Sequence, residues 1–172
     1  MIDPQTKGKD ISIMIWGAIW IGGRSDLVVM ERDSNSPKNG YTANSYLKVL
    51  DDQLSDDWLE EMHFVQDNAP IHTAKSVKDW FSNHRINVVE WPPYSPDLNP
   101  IEHVWAYLKE QLLLRYPHLV DLGRSEEAIE EFKEAIKETW KALDQEKIDN
   151  YIRSMTTRIN AVLLAEGWYT RF

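Results

Sequence analysis

No cysteine occurs among the 172 residues, which excludes a disulfide framework and a thiolate metal centre; a zinc site would need histidines and carboxylates. That absence fits a reducing intracellular compartment. Long hydrophobic runs are also lacking. The most apolar stretch, 11–21, is too short to span a bilayer, is broken by Ser12 and Gly17, and has no small-residue cleavage site of a signal peptide. Neither a membrane segment nor an export signal is therefore expected. Positive charge is scarce: 19 Lys and Arg stand against 28 Asp and Glu, a formal net charge of −9. This excludes a chain that grips nucleic acid over its whole surface, because phosphate neutralisation needs clustered basic residues. It leaves open an enzyme that acts on nucleic acid. Much of the acidic excess follows Arg124, where Glu126, Glu127, Glu130, Glu131, Glu134 and Glu138 interleave with Lys133, Lys137 and Lys141 as one solvated helix face. Repeats and low-complexity segments are missing too, and a chain with 42% hydrophobic residues suits one domain with a sizeable core.

What is present is patterned. Residues 1–10 are polar, contain Pro4 and Gly8, and read as an unstructured lead-in. The β-branched and aromatic run 11–20 predicts a mostly buried strand, Gly22-Gly23 a turn, and 26–31 a returning strand, together an antiparallel hairpin. After a loop over 34–40, Thr42 is placed to cap a helix whose inward stripe is Tyr46, Leu47, Leu50 and Leu54. A strand over 62–66, an amphipathic segment over 73–84 with Val77, Trp80 and Phe81 at helical spacing, and a strand over 86–90 predict a parallel pair with a crossover helix. The prolines at 92, 93 and 96 make 91–96 a rigid surface loop. Asn99-Pro100 has the form of an N-cap followed by proline at the first helical position, opening a helix to about Arg115 with Val104, Trp105, Leu108 and Leu112 inward. Helices then follow over 125–143, with Ile129, Phe132, Ile136 and Trp140 in one stripe, and over 145–166, with Ile148, Ile152, Met155 and Ile159, stopped by Gly167. Trp16, Trp80, Trp105 and Trp140 fall at core positions, where packing explains them better than base stacking.

Two acids stand out. Asp67 lies just past a strand end and Glu102 in a first helical turn, and acids at the carboxyl ends of parallel strands face a common crevice. Magnesium or manganese needs hard oxygen ligands, and two-metal phosphoryl transfer uses carboxylates to hold ions about 3.5–4 Å apart. The competing reading is that each acid caps a helix or answers its dipole. His72 and His103 lie close in sequence and would either join a metal, touch substrate or hydrogen-bond a carboxylate. Asn68 would orient Asp67, approach a phosphate, or only form a turn. Lys75, Lys78, Arg85 and Lys109 are either contacts for a DNA backbone or ordinary solvated side chains.

Four blocks carry a family resemblance: Met14-Ile15-Trp16-Gly17-Ala18; 66–74, Gln-Asp-Asn-Ala-Pro-Ile-His-Thr-Ala; 91–105, from Trp91-Pro92-Pro93-Tyr94-Ser95-Pro96-Asp97 to Glu102-His103-Val104-Trp105; and the tail from Ile152-Arg153-Ser154-Met155 to Tyr169. The chain resembles the catalytic domain of Tc/mariner-type DDE transposases, and the 34 residues between Asp67 and Glu102 resemble the branch with glutamate as third acid. The resemblance implies an α/β, RNase H-like fold, a mixed sheet flanked by helices, with three acids holding two Mg2+ (or Mn2+) ions. Asp67 would be the second acid and Glu102 the third, with Asn68, His72 and His103 supporting them or touching DNA. It further implies double-stranded DNA partners (transposon ends and a TA target), strand cleavage followed by attack of the freed 3′ hydroxyl, and nuclear localisation, with homodimerisation left open.

One departure shapes the expectation. In the family the first acid lies on the first, central strand, upstream of the Met-x-Trp-Gly strand, whereas here ten residues precede that strand. Asp10 is too near to it, and Asp3, Asp26 and Asp33 lack matching context; the amino-terminal helix-turn-helix domains have no counterpart. The expected organisation is a lead-in over 1–10, a truncated RNase H-like core over 11–115 lacking the first central strand, and a helical extension over 116–172 packed on it. The expectation is a transposase catalytic fragment, inactive as given for want of the first catalytic aspartate. The alternatives are a domesticated remnant that binds DNA or protein without catalysis, and a different RNase H-like nuclease, which the proline-rich loop and the tail fit less well.

Overall fold

The apolar amino-terminal stretch folds back on itself as expected, but in two pieces. In the computed structural model, which describes residues 13–54, 62–93, 95, 98–123 and 125–166, the hairpin comprises β1 (Ile15–Trp16), β2 (Ile19–Trp20), β3 (Gly23–Arg24) and β4 (Val28–Val29). β1 pairs antiparallel with β4, Trp16 opposite Val28, and β2 with β3, Ile19 opposite Arg24. Gly17 and Ala18 thus answer the longer segment 25–27, the extra residue of a β-bulge. The single strand expected over 11–20 is broken there for two reasons. The buried Gly17 has an indole where a side chain would go, 3.0 Å from Trp140 Cζ2, and the Ala18 N–H bonds Ser25 Oγ at 2.8 Å. Gly22, at φ 81°, closes the tip in a conformation that L side chains resist. Residues 11–12 lie outside the described residues.

The described residues fall into two compact units, one formed by Met14–Trp16 with the chain from Val28 to the proline-rich loop, the other by Gly17–Leu27 with the chain from Ser95 onward. In the first, α1 (Ala43–Leu54) begins where expected: Thr42 Oγ1 accepts the Asn44 N–H and donates to Asp33 Oδ2. The Thr42 hydroxyl first, then the Asn35 N–H, hold the half-buried Asp33 carboxyl below its usual range. Tyr46, Val49, Leu50 and Leu54 face the core, and Leu47 is only half-buried. β5 (His63–Phe64) runs parallel to β6 (Asn87–Val88), Phe64 opposite Val88. Their crossover is α2 (Pro70–Thr73) and α3 (Lys75–Asn83), where one amphipathic segment was expected; extended Ala74 separates the two. Val77, Trp80 and Phe81 are buried as their spacing demands. α3 closes with Arg85 at φ 56° and the Ile86 N–H on the Phe81 carbonyl, a left-handed helix cap. Among the described residues the strands make three two-stranded ladders.

The second unit is helical around the β2–β3 tip. α4 (Pro100–Arg115) is capped by Asn99 Oδ1 on the Ile101 N–H and buries Val104, Leu108 and Leu112. After a 3-10 turn over Pro117–Asp121, α5 (Glu126–Lys141) starts on Ser125, whose Oγ accepts the Ala128 N–H. The expected stripe of α5 is half right. Ile136 and Trp140 are buried, but Ala128, Ala135 and Thr139 take the rest of the inward face, and Ile129 and Phe132 are half-buried. The one helix expected over 145–166 is two, α6 (Gln145–Arg153) and α7 (Met155–Leu164), and Ser154 between them donates its hydroxyl to the Tyr151 carbonyl. Ile148 is fully buried while Ile159 is 45% exposed, so the second stripe does not continue through the break. Gly167 and Tyr169 lie outside the described residues. Among those described, no helix is long and apolar enough to cross a membrane.

Asp149 fastens this unit. Its Oδ1 accepts the Gly22 N–H at 3.0 Å and Gln145 Nε2 at 2.8 Å, and Arg153 lies 3.6 Å from Oδ2. The Gln145 bond first, then the Gly22 N–H, hold its pKa below the ordinary value. A carboxyl whose folded pKa is depressed stabilises above its unfolded value, about 3.9, and that contribution fades as pH falls through the folded value. Asp149→Ala should therefore lower Tm at pH 7, and the gap from the parent chain should narrow steadily below about pH 3.9. Thermal melts across pH 2–7 check this; a gap that widens with acid counts against it.

Candidate active site

Asp67 owes its position to the end of β5. The chain leaves the ladder after Phe64, whose carbonyl takes the Val89 N–H, and turns sharply because Asp67 Oδ1 accepts the Ala69 N–H at 2.9 Å. Pro70 then opens α2, a single turn in which the Ala69 carbonyl accepts the His72 and Thr73 N–H groups. That turn carries His72 back over Asp67, with Nδ1 2.6 Å from Oδ1. A carboxylate only accepts, so the proton of this bond belongs to Nδ1. The Asp67 side chain is 61% exposed and that of His72 only 20%. With Oδ1 occupied twice, Oδ2 takes no hydrogen bond from the described residues. The donor set suits a hard cation: one oxygen is fixed by the protein and the other presented to solvent. Asn68 reaches the other strand end, Nδ2 donating to the Trp91 carbonyl at 2.8 Å, so the loops after β5 and β6 are tied together.

Glu102 is the third helical residue of α4, its N–H on the Asn99 carbonyl and its side chain exposed. No described residue bonds its carboxylate, which leaves it to favour the positive end of α4 or to take a cation. Its neighbour His103 faces elsewhere. The ring stacks on Tyr151 at 5.5 Å, and Nε2 lies 2.6 Å from Arg158 Nη1. Guanidinium groups only donate, so Nε2 is the acceptor and unprotonated. Burial first and the Arg158 charge second lower the His103 pKa. Of the two histidines, His72 bonds a carboxylate and His103 an arginine. Asp67 and Glu102 belong to different compact units, and no group of three metal-competent His, Asp or Glu side chains occurs among the described residues.

Sequence reasoning missed Tyr46, read only as core stripe. It is 1% exposed, its hydroxyl donates to Gln66 Oε1 at 2.7 Å, and its ring lies 4.5 Å from that of His72. The available signal was the residue type: a tyrosine at a fully inward helix position needs a partner for its hydroxyl. Of the basic candidates, Lys75 is paired with Asp79, while Lys78 and Arg85 are exposed on and just after α3.

The sequence profile described as "DDE superfamily endonuclease" matches residues 4–122. The Tcb1 transposase of Caenorhabditis briggsae is 37% identical over 179 aligned positions, covering 98% of this chain and 58% of that protein. The chain spans between 37% and 58% of the length of the four curated transposases it matches. Among solved structures, the Mos1 transposase catalytic domain with Raltegravir and Mg aligns with a TM-score of 0.59 at 22% identity, over 92% of this chain and 84% of that one. The Mos1 strand transfer complex aligns with a TM-score of 0.59 at 21% identity, over 99% of this chain and 50% of that one. At these identities the likeness establishes the fold, α/β and RNase H-like.

Proposed function

We propose, for a chain that belongs to the DDE superfamily endonucleases and within them to the Tc/mariner transposases, that it is a catalytic-domain segment whose Asp67 and Glu102 ligate divalent metal for DNA strand cleavage and strand transfer. The observation that carries the reading is Asp67 itself. It stands at the carboxyl end of a parallel strand pair, one oxygen held by Ala69 and His72 and the other open. Relatives of this chain are transposases, and one solved relative is a catalytic domain with Mg, another a strand transfer complex. The ions proposed are Mg2+ or Mn2+, two of them as the family resemblance implies, and the proposed substrates are transposon-end DNA and a TA target in the nucleus.

When bound, such ions activate water or a 3′ hydroxyl and offset charge on the phosphoryl oxygens during in-line displacement. The chain's own residues position. His72 and the Ala69 N–H fix the Asp67 rotamer, Asn68 ties the Asp67 loop to Trp91, and the Asn99-Pro100 cap sets Glu102 on the first turn of α4. Calorimetric titration of the 172-residue chain with Mn2+ tests the reading: saturable heat is expected, and a flat titration overturns it. A duplex bearing transposon ends adds a second arm. Binding heat without cleavage is the outcome expected if these two carboxylates are an incomplete set; cleavage lost on Asp67→Ala would show that the chain is competent by itself.

A further inference from the structure

A buried tyrosine bonded to the residue that precedes a solvent-facing acid calls for an account beyond packing. Tyr46, on α1, acts in two directions. Its hydroxyl donates to Gln66 Oε1 at 2.7 Å. The direction is settled by chemistry: an amide oxygen can only accept, so the tyrosine proton must go to Gln66. The amide of Gln66, the residue immediately before Asp67, is thereby held by its oxygen. The same ring lies 4.5 Å from His72, inclined at 45°, and His72 holds Asp67 Oδ1. One side chain, 1% exposed, thus braces the residue preceding Asp67 and the residue that bonds its carboxylate.

We propose that Tyr46 is a positioning residue for Asp67, fixing the carboxylate through Gln66 on one side and His72 on the other. The inference deepens the proposed function and, for its metal readout, rests on it. A plain core role would be served as well by phenylalanine, which fills the same volume; only the hydroxyl reaches Gln66. Burial raises the Tyr46 pKa most and the Asp67 charge adds to it, so the hydroxyl keeps its proton throughout the neutral range. The donor to Gln66 is permanent.

Tyr46→Phe in the full chain removes the oxygen and keeps the ring. The expected results are an Mn2+ dissociation constant raised about 10-fold, in the range seen when groups supporting a metal ligand are lost, and faster hydrogen exchange at the Ala69 amide, which bonds Asp67 Oδ1. Gln66→Ala, which cuts the same link from its other end, should reproduce both effects, and the Tyr46→Phe/Gln66→Ala double variant should be no worse than the stronger single one. A lower Tm with unchanged Mn2+ affinity and unchanged Ala69 exchange overturns the inference. Should the parent chain give no Mn2+ heat, the metal reading fails alone. The exchange measurement on the metal-free chain then decides this inference: acceleration in both single variants supports it, and none overturns it.

Discussion

Asp67→Asn should weaken Mn2+ binding by about 100-fold or more, the upper end of what supporting groups alone produce, while Tm stays where it is. Asparagine is the discriminating replacement because its side-chain oxygen can still accept the Ala69 N–H that shapes the turn. What it lacks is the negative charge and the second oxygen, and Oδ2 is the atom that no described residue occupies. A side chain 61% exposed contributes little to the core, so the stability change should stay within the roughly ±0.5 kcal/mol of an ordinary surface substitution. The affinity loss and the steady Tm together separate a metal ligand from a helix-capping acid. Were Asp67 only a turn-former, Asp67→Asn would be silent in both measurements, and Asp67→Ala would lower Tm without touching Mn2+ affinity. Calorimetry and thermal melts on the two variants therefore distinguish the two roles that the sequence left open.

Where physics acts over a few residues, the chain was legible before its structure. The Asn99-Pro100 cap of α4, the Thr42 start of α1 and the parallel β5–β6 pair with its crossover all follow from local donors, acceptors and apolar spacing. The failures share another cause. Gly17 reads as strand interior, and the break there depends on Trp140, an indole supplied from α5. The end of α6 depends on the Ser154 hydroxyl preferring the Tyr151 carbonyl to solvent, a choice that periodicity does not report. His103 reads like His72, an imidazole beside an acid; its partner, Arg158, is 55 residues away, and no local rule could supply it. Tyr46 shows the same limit from the other side: its inward position was plain, but the partner of its hydroxyl comes from the loop after β5.

The largest loss of stability should come from Trp140→Ala, about 3–5 kcal/mol as for other buried large aromatics. Trp140 is 1% exposed, stacks on Trp105 of α4 at 5.3 Å, donates Nε1 to the Ser25 carbonyl at 2.8 Å and fills the space beside Gly17. Truncation opens a cavity, strips the Ser25 carbonyl of a donor and loosens the α4–α5 contact on which the Glu102 helix depends. Domains of this size are stable by only about 5–15 kcal/mol, so a loss of that size is a large share of the total. The converse substitution isolates the contact. Gly17→Ala would set a Cβ 3.0 Å from Trp140 Cζ2 and 3.3 Å from Trp105 Cη2, an overpacking that costs about 1–3 kcal/mol. In the Trp140→Ala background most of that clash is gone, and the added methyl enters the cavity. Urea unfolding followed by far-UV circular dichroism should thus give a double variant more stable than the sum of the single losses predicts. Additive losses would mean that Gly17 is required for its backbone at the bulge, and that the indole beside it is incidental.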